Sequence, residues 1–284
     1  FGYHCTAQIA RHLGDSDLAA QLEAIAVRWV DAFDTETGLL VDSTFYEGGK
    51  WNYSFRLTHD MAQRIALAGG EAQFAELLDR FFGVGAGPVK QLGLAPDVDA
   101  IADGYALDRF EGLNNEPDME APWAYHYVGR PDRTAEVVHA AVNNQFAIGR
   151  GGLPGNDDSG GLSSWYVWAS LGLFPVAGQQ LVFVNAPSFS HASISVPGGS
   201  FTIETTGFVE PEPDGPAQYV RSVRLNGRDL DRSWITLQEL HRGGNLHIAL
   251  GSEPSNWGTI VRPPSISTTY PTPAGADPRR RSHP

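Results

Sequence analysis

Cysteine is almost absent from this chain of 284 residues, and the single Cys5 excludes an internal disulfide and a cysteine-rich zinc site. No run of 18 apolar residues occurs, so the sequence predicts no membrane span. Basic residues are outnumbered 20 to 33 by acidic ones, and the net charge of -13 argues against nucleic acid or an anionic membrane as a partner. An initiator methionine and a signal peptide are also missing. The opening at Phe1 therefore suggests a truncated polypeptide, whose lack of a signal is uninformative about its location.

The most informative segment is a glycine-rich turn that leads into an apolar, aromatic run over residues 151–175. It places Asp157 and Asp158 directly before a predicted helix from about 162 to 173, with Ser159 as the expected N-cap. Carboxylates held at the start of a rigid helix, beside aromatic side chains, suit a site that cleaves sugars. The same pattern also occurs in an ordinary capped turn with solvated acids.

The periodicity of apolar residues changes along the chain. Helical spacing dominates the first 175 residues, and helices are predicted over about 18–33, 71–82, 121–127 and 133–146, with a further one that begins at 51 or 57 and ends at 68. From residue 180 the apolar positions alternate, as in half-buried strands, and predict strands over 181–184, 192–196, 200–205, 219–225, 234–237 and 245–250. The chain is therefore predicted to be mainly α with a C-terminal antiparallel β region.

Several motifs resemble those of glycoside hydrolase family 92, the calcium-dependent exo-acting α-mannosidases. The similar segments, in matching order, are Tyr46-Glu-Gly-Gly-Lys-Trp-Asn-Tyr-Ser-Phe55 with Thr58-His-Asp60, then Asn115-Glu-Pro117, Tyr125-x-Tyr-x-Gly-x-Pro131 and the turn at 151–175. Leu225-Asn-Gly227 is similar to part of the family's C-terminal β region. The resemblance extends from about residue 1 to 260.

The resemblance implies the architecture. Members of the family couple an N-terminal β-sandwich to an (α/α)6 barrel, and this sequence predicts about seven of the twelve barrel helices. We therefore expect a partial (α/α)6 toroid over 1–177, followed by β-sandwich-like antiparallel strands over 178–262 and a disordered tail over 263–284. The N-terminal β-sandwich and the early barrel helices would be missing partners of this chain.

The resemblance also implies catalytic roles. Glycoside hydrolysis needs one carboxylic acid to protonate the leaving oxygen and one carboxylate to activate water. Glu47 matches the family's general acid and Asp158 its general base, and the family inverts the anomeric configuration. Asn156 stands where many members carry a second acid, and Asp157 could supply charge nearby.

Substrate and metal contacts are expected around these acids. Trp51 and Trp123 are candidates either to stack on sugar or to lie in the core, and His59 and Asp60 are candidate substrate-binding residues. The resemblance implies a calcium ion that grips two sugar hydroxyls, with Asn115 and Glu116 as the oxygen-rich candidates. The loop that carries them could instead contact sugar directly or form a simple turn.

The expected function is removal of terminal α-linked mannose from glycans or glycoproteins by an inverting, calcium-assisted enzyme. A non-catalytic carbohydrate-binding fragment, or an α/α-toroid glycosidase with another sugar specificity, are the alternatives. The resemblance implies a secreted, periplasmic or cell-surface protein.

Overall fold

The structure is a computed structural model and describes residues 1–43, 49–84, 113–212 and 215–269. Its α-helices are α1 (Gly2–His12), α2 (Ser16–Ala26), α3 (Lys50–Ser54), α4 (Met61–Leu67), α5 (Glu71–Phe82), α6 (Pro131–Gln145), α7 (Gly161–Ser170), α8 (Leu237–His241) and α9 (Ile266–Thr269). Its strands are β1 (Leu173–Pro175), β2 (Leu181–Val184), β3 (His191–Val196), β4 (Gly199–Thr206), β5 (Tyr219–Leu225), β6 (Arg228–Asp229), β7 (Trp234–Thr236) and β8 (Gly244–Gly251). None of the described helices is both long enough and apolar enough to cross a membrane.

The first two helices form a hairpin whose turn is encoded locally. Asp15 accepts a hydrogen bond from the Leu18 N–H at 3.0 Å, which caps α2. The helix predicted over 18–33 is not continuous, however, because the chain tightens into a 3-10 helix at Val27–Ala32. Tightening of this kind is common where an α-helix ends.

Glycines set the limits of α5, the helix that carries much of the apolar core. Gly70 before it and Gly83 after it have φ angles of 109° and 70°, which residues with a Cβ rarely adopt. Between them the apolar face buries Phe74, Leu78 and Phe81. The helix therefore begins and ends where the sequence predicts.

Aromatic stacking joins the helices to the first sheet. The 3-10 helix Ala121–Val128 is buried along its whole length. Trp123 stacks on Phe174 with ring centroids 4.6 Å apart, and His126 stacks on Phe183 at 4.5 Å. Burial lowers the pKa of His126 to about 3, so this ring is neutral and packs as an aromatic.

Two sheets follow the helices. The first has the order β1-β2-β7 and is antiparallel, and the second has the order β3-β4-β8-β5-β6. One apolar cluster draws on both sheets, with Val182 and Ile235 from the first and Phe201 and Ile248 from the second, which is the face-to-face packing of a sandwich.

The prediction of a wholly antiparallel β region is wrong at one place. β4 and β8 pair in parallel, from Phe201 opposite Gly244 to Thr206 opposite Ala249, so the five-stranded sheet is mixed. Alternation of apolar and polar residues is the same in both orientations and cannot distinguish them. The long connection through β5, β6, β7 and α8 is what brings β8 back in the same direction as β4.

The predicted domain limits differ in detail from the observed elements. β1 belongs to the first sheet although it lies before residue 178. At the other end, the Ser265 hydroxyl accepts a hydrogen bond from the Ala62 N–H at 3.0 Å, and α9 follows it. The first residues of the segment predicted to be a disordered tail are thus ordered against α4, and residues 270–284 lie outside the described ranges. The partial (α/α)6 toroid over 1–177 remains a prediction.

Candidate active site

The acidic turn at the start of α7 is held by Asp157. Its two carboxylate oxygens accept hydrogen bonds from the Ser163 N–H at 2.9 Å and from the Ser163 hydroxyl at 2.8 Å. The Ser163 N–H, followed by the hydroxyl, lowers the pKa of the Asp157 carboxyl. Asp157 therefore stabilises the first turn of the helix. This differs from the N-cap role that the sequence predicted for Ser159.

Asp158 has the opposite environment. Its side chain is exposed, and its carboxylate makes no hydrogen bond or ion pair with any residue in the described ranges. Ser159, the next residue, has a φ of 54°, in the left-handed region that costs a residue with a Cβ some strain. Gly160 continues this conformation with a φ of 73° and is the N-cap of α7. Asn156 is exposed in the same turn.

The candidate metal loop lies against this turn. A Cβ added at Gly155 would overlap the carbonyl group of Asn114, so only glycine fits the contact. A Cβ at Gly161 would lie 3.7 Å from Oε1 of Glu116. Further along, the Trp165 indole N–H donates to the Met119 carbonyl at 2.8 Å. The structure thus brings together two segments that are about 40 residues apart in the sequence.

Glu116 supplies one feature that suits a cation. Its Oε1 atom is buried and has no hydrogen-bond donor among the residues that the structure describes. Asn115 accepts from the Glu116 N–H at 2.9 Å and begins the 3-10 helix Glu116–Asp118. Among the described residues no group of three or more His, Cys, Asp or Glu side chains could hold a metal. The described side chains could therefore supply only part of a calcium shell, through Glu116 and Asn115. Carbonyl and water oxygens, which calcium also accepts, would have to supply the rest.

Glu47 lies outside the described residues, so its predicted distance of about 6.5–9.5 Å to Asp158 stays a prediction. Beyond Glu47 in the sequence, the Gly49 N–H donates to the Asn52 side chain at 3.0 Å. The amide of Asn52 donates in turn to Asp118 at 3.1 Å, and both side chains are buried. The helix that follows Glu47 is thereby bonded to the 3-10 helix that contains Glu116.

Trp51 and Trp123 are both core residues in this structure. Trp51 is 4% exposed, stacks on Phe81 and carries the Arg80 guanidinium over its ring. Trp123 is fully buried between aromatic rings. Neither indole has an open face for a sugar, which decides between the two roles that the sequence allowed.

His59 and Asp60 line a different cavity, of about 820 Å³, between the α1–α2 hairpin, α4 and α9. His59 stacks on His4 at 4.4 Å, and burial, then His4, lowers the pKa of His59 to about 4. Asp60 caps α4 by accepting from the Gln63 N–H, and it also accepts from the Ser267 hydroxyl at 2.6 Å. None of the residues from 114 to 161 is among those that line this cavity. His59 and Asp60 thus line a cavity that neither Asp158 nor Glu116 lines.

The model of the glycosyl hydrolase family 92 catalytic domain matches residues 1–252. The chain belongs to glycoside hydrolase family 92. The resemblance read from the sequence motifs is confirmed.

Relatives of this family 92 chain include an uncharacterized secreted glycosidase from Arthroderma benhamiae, 34% identical over 225 residues. Among solved structures, the family 92 inverting mannosidase of Bacteroides thetaiotaomicron is 26% identical with a TM-score of 0.75 and covers 93% of this chain. A family 92 α-mannosidase from the same bacterium, in complex with mannoimidazole, is 21% identical with a TM-score of 0.76, also over 93% of this chain.

The family 92 match covers most of this chain but a minor part of the relatives. The matched region covers 78% of this chain and 26% of the fungal protein, and it covers 38% and 37% of the two bacterial structures. The chain thus spans well under half the length of the proteins that it resembles.

Three side chains that organise the candidate site were not predicted from the sequence. Ser163 occupies both oxygens of Asp157, and Asn52 and Asp118 form the link between α3 and the Glu116 segment. Asp118 stands inside the motif loop and could have been suspected. The Asn52–Asp118 pair spans 66 positions and has no local signal.

Proposed function

We propose that this chain contributes the catalytic acid and base of a glycosidase that removes terminal α-linked mannose with inversion. The observation that carries the proposal is the Asp158 carboxylate, which is exposed and free of described partners at the start of α7, in a chain of family 92. The mannosidases among the structural relatives support the choice of mannose over other sugars. The fungal relative's description supports an extracellular location.

Asp158 is the proposed general base. An activating carboxylate must be ionised and open to water, and Asp158 satisfies the second condition directly. Asp158 also lies close to the N-terminus of α7. Asp157 is the poorer candidate because both of its oxygens are already bonded to Ser163.

Glu47 is the proposed general acid, on the strength of its place in the family motif. A general acid must hold its proton near neutral pH, so burial or neighbouring negative charge must raise its pKa. For inversion, the two carboxyl groups would stand about 6.5–9.5 Å apart, with room for water between them. The Asn52–Asp118 bond supports convergence, because it connects the helix after Glu47 to the loop that lies beside Gly155 and Gly161, on either side of Asp158 in the sequence.

Calcium is proposed as the cofactor, with Glu116 and Asn115 as ligands. A bound calcium ion would supply Lewis-acid contacts to two sugar hydroxyls. The buried, unpartnered Oε1 of Glu116 supports this assignment, because an isolated carboxylate oxygen is costly unless a donor or a cation satisfies it. Oε1 would lie 3.7 Å from a Cβ added at Gly161, so an ion bound to it would be near the acidic turn.

The reaction course tests the proposed function. When the full-length gene product hydrolyses an α-mannoside, NMR of the first product should show β-mannose, because water attacks the face opposite the leaving group. The chain 1–284 alone serves as a comparison, since its relatives are much longer. Release of α-mannose first would mean a retaining nucleophile, and activity on α-glucosides alone would mean another specificity.

Metal removal gives a second prediction. Exhaustive dialysis against EDTA should abolish hydrolysis, and added Ca²⁺ should restore it, because hard oxygen ligands prefer calcium. Zn²⁺ should fail to restore activity, since the proposed ligands offer neither nitrogen nor sulfur. Activity that survives dialysis unchanged would remove calcium from the proposal.

A further inference from the structure

A short segment of chain leaves the β region and lies across the helices. This segment, residues 259–269, is called the strap. Near its start, Val261 forms an isolated parallel bridge with Arg232 of the β region. The next residue, Arg262, donates from Nε and Nη2 to the two carboxylate oxygens of Glu71 at 2.9 and 2.8 Å. Glu71 is the first residue of α5, so this ion pair anchors the strap to the helical part of the molecule.

The strap lies against two positions of the family motifs. Gly129 has a φ of 68°, and a Cβ added there would overlap the guanidinium of Arg262. Asp60 accepts a hydrogen bond from the Ser267 hydroxyl at 2.6 Å. The match to the family model ends at residue 252, so the strap contacts motif residues although it lies beyond the matched region.

The strap also forms one wall of the cavity of about 820 Å³ that His59 and Asp60 line. Residues 264–267 line it together with the α1–α2 hairpin and the start of α4. His59 is 9% exposed, and its Nδ1 atom is buried without a hydrogen-bond partner among the described residues. A buried polar atom of this kind gains free energy from contact with water or a polar solute. The cavity therefore holds a group that benefits from access.

Polar bonds, and little apolar packing, hold the strap in place. Ile260 is 84% exposed, and within residues 259–268 only Pro263 and Ser265 are buried. The two side chains of the anchoring ion pair are 33% and 52% exposed. Exposed ion pairs and single hydrogen bonds each contribute little to stability. Local release of the strap therefore costs less free energy than unfolding of the helices beneath it.

We propose that the strap is a lid, which opens by release of Arg262 from Glu71 and admits small polar solutes to the cavity beside His59. Opening removes the Ser267 bond to Asp60 and the wall formed by residues 264–267 in one movement. Neither Glu47 nor Asp158 takes part, so the lid is independent of their proposed roles.

Hydrogen exchange at one amide reports the opening. The Ala62 N–H is in the first turn of α4, where it has no partner within the helix, and it donates to the Ser265 hydroxyl at 3.0 Å. In chain 1–284, Arg262→Ala should speed its exchange by about 5-fold, the upper range for loss of an exposed ion pair. The Ile248 amide in β8 should exchange as before. Unaltered exchange at Ala62 would refute the lid.

Arg224→Ala is the matched control. It makes the same change at an exposed arginine, which pairs with Asp229 at 2.8 Å in the β5–β6 hairpin. The exchange of the Ala62 amide should stay at its native rate. If Arg224→Ala accelerated it as much as Arg262→Ala does, the cause would be general destabilisation and the proposal would fail.

Chemical modification tests access to the cavity. Diethylpyrocarbonate acylates neutral imidazoles, and mass spectrometry locates the modified residues. Arg262→Ala should raise the rate at His59 by about the same factor as the exchange at Ala62, because both report one opening. His241, which is exposed on α8, should react equally in both proteins. Faster exchange at Ala62 with an unchanged rate at His59 would mean that the strap opens without acting as a lid.

The same modification in the full-length gene product extends the test beyond residues 1–284. The rate at His59 should again be higher in the Arg262→Ala variant than in the native protein. If His59 stayed unreactive in both, another part of the polypeptide would cover the cavity, and the proposal of a lid would be overturned.

Discussion

Asp158→Asn should nearly abolish hydrolysis of α-mannosides in the full-length gene product while leaving sugar binding intact. The exposed carboxylate is the proposed acceptor of the proton from water, and an amide cannot take that role. Because Asp158 makes no bond to any described side chain, its replacement leaves the turn itself unaltered. Steady-state kinetics would measure the loss in kcat, and calorimetry with a mannose-like inhibitor would measure binding.

Asp157→Asn is the matched control for this prediction. Asparagine keeps one oxygen to accept from the Ser163 N–H, so the cap on α7 is weakened and not removed. This substitution should reduce the rate less than Asp158→Asn does. A larger loss at Asp157 would move the general base by one residue, and equal residual activity in both variants would mean that neither residue is the base.

Glu47→Gln should lower kcat on mannosides with poor leaving groups by about 10²–10⁴-fold, the range typical of general acids. Aryl mannosides with good leaving groups should lose less, because their departure needs little protonation. Kinetics on an alkyl and an activated aryl mannoside would measure both losses. A uniform loss across the two substrates would exclude the acid role.

Glu76→Gln is the matched control for Glu47→Gln, since Glu76 is an exposed residue of α5. It makes the same change of carboxylate to amide on the surface and should leave both rates unchanged. If Glu47→Gln left both rates unchanged, as this control should, Glu47 would be excluded as the general acid.

Local chemistry explains where the sequence predicted the elements well. α5 begins and ends as expected because glycines with positive φ stand at both of its ends. The strands Leu181–Val184 and Tyr219–Leu225 also match their predicted limits. The last part of the strand predicted over 234–237 differs, because Thr236 and Glu239 form a capping box that starts α8 at Leu237.

Roles that depend on distant partners could not be predicted. The bonds that Asp60 makes are an example: it caps α4 and also accepts from Ser267, 207 positions away, while its expected role in substrate binding stays a prediction. Trp123 was open to two roles until the structure placed it between Phe174 and Phe183. The residues around Trp123 in the sequence are apolar, which is compatible both with stacking on a sugar and with packing in the core.

The sequence by itself determined the family, the change from helices to strands and the position of the acidic turn, because these depend on motifs, periodicity and glycines that act over a few residues. Only the tertiary structure decided that Asp157 is bonded to Ser163 while Asp158 has no bond to a described side chain, that Glu116 lies near Gly161, and that β4 and β8 run parallel. Each of these depends on which distant surfaces bury one another, and burial is a property of the packed chain that no local pattern records.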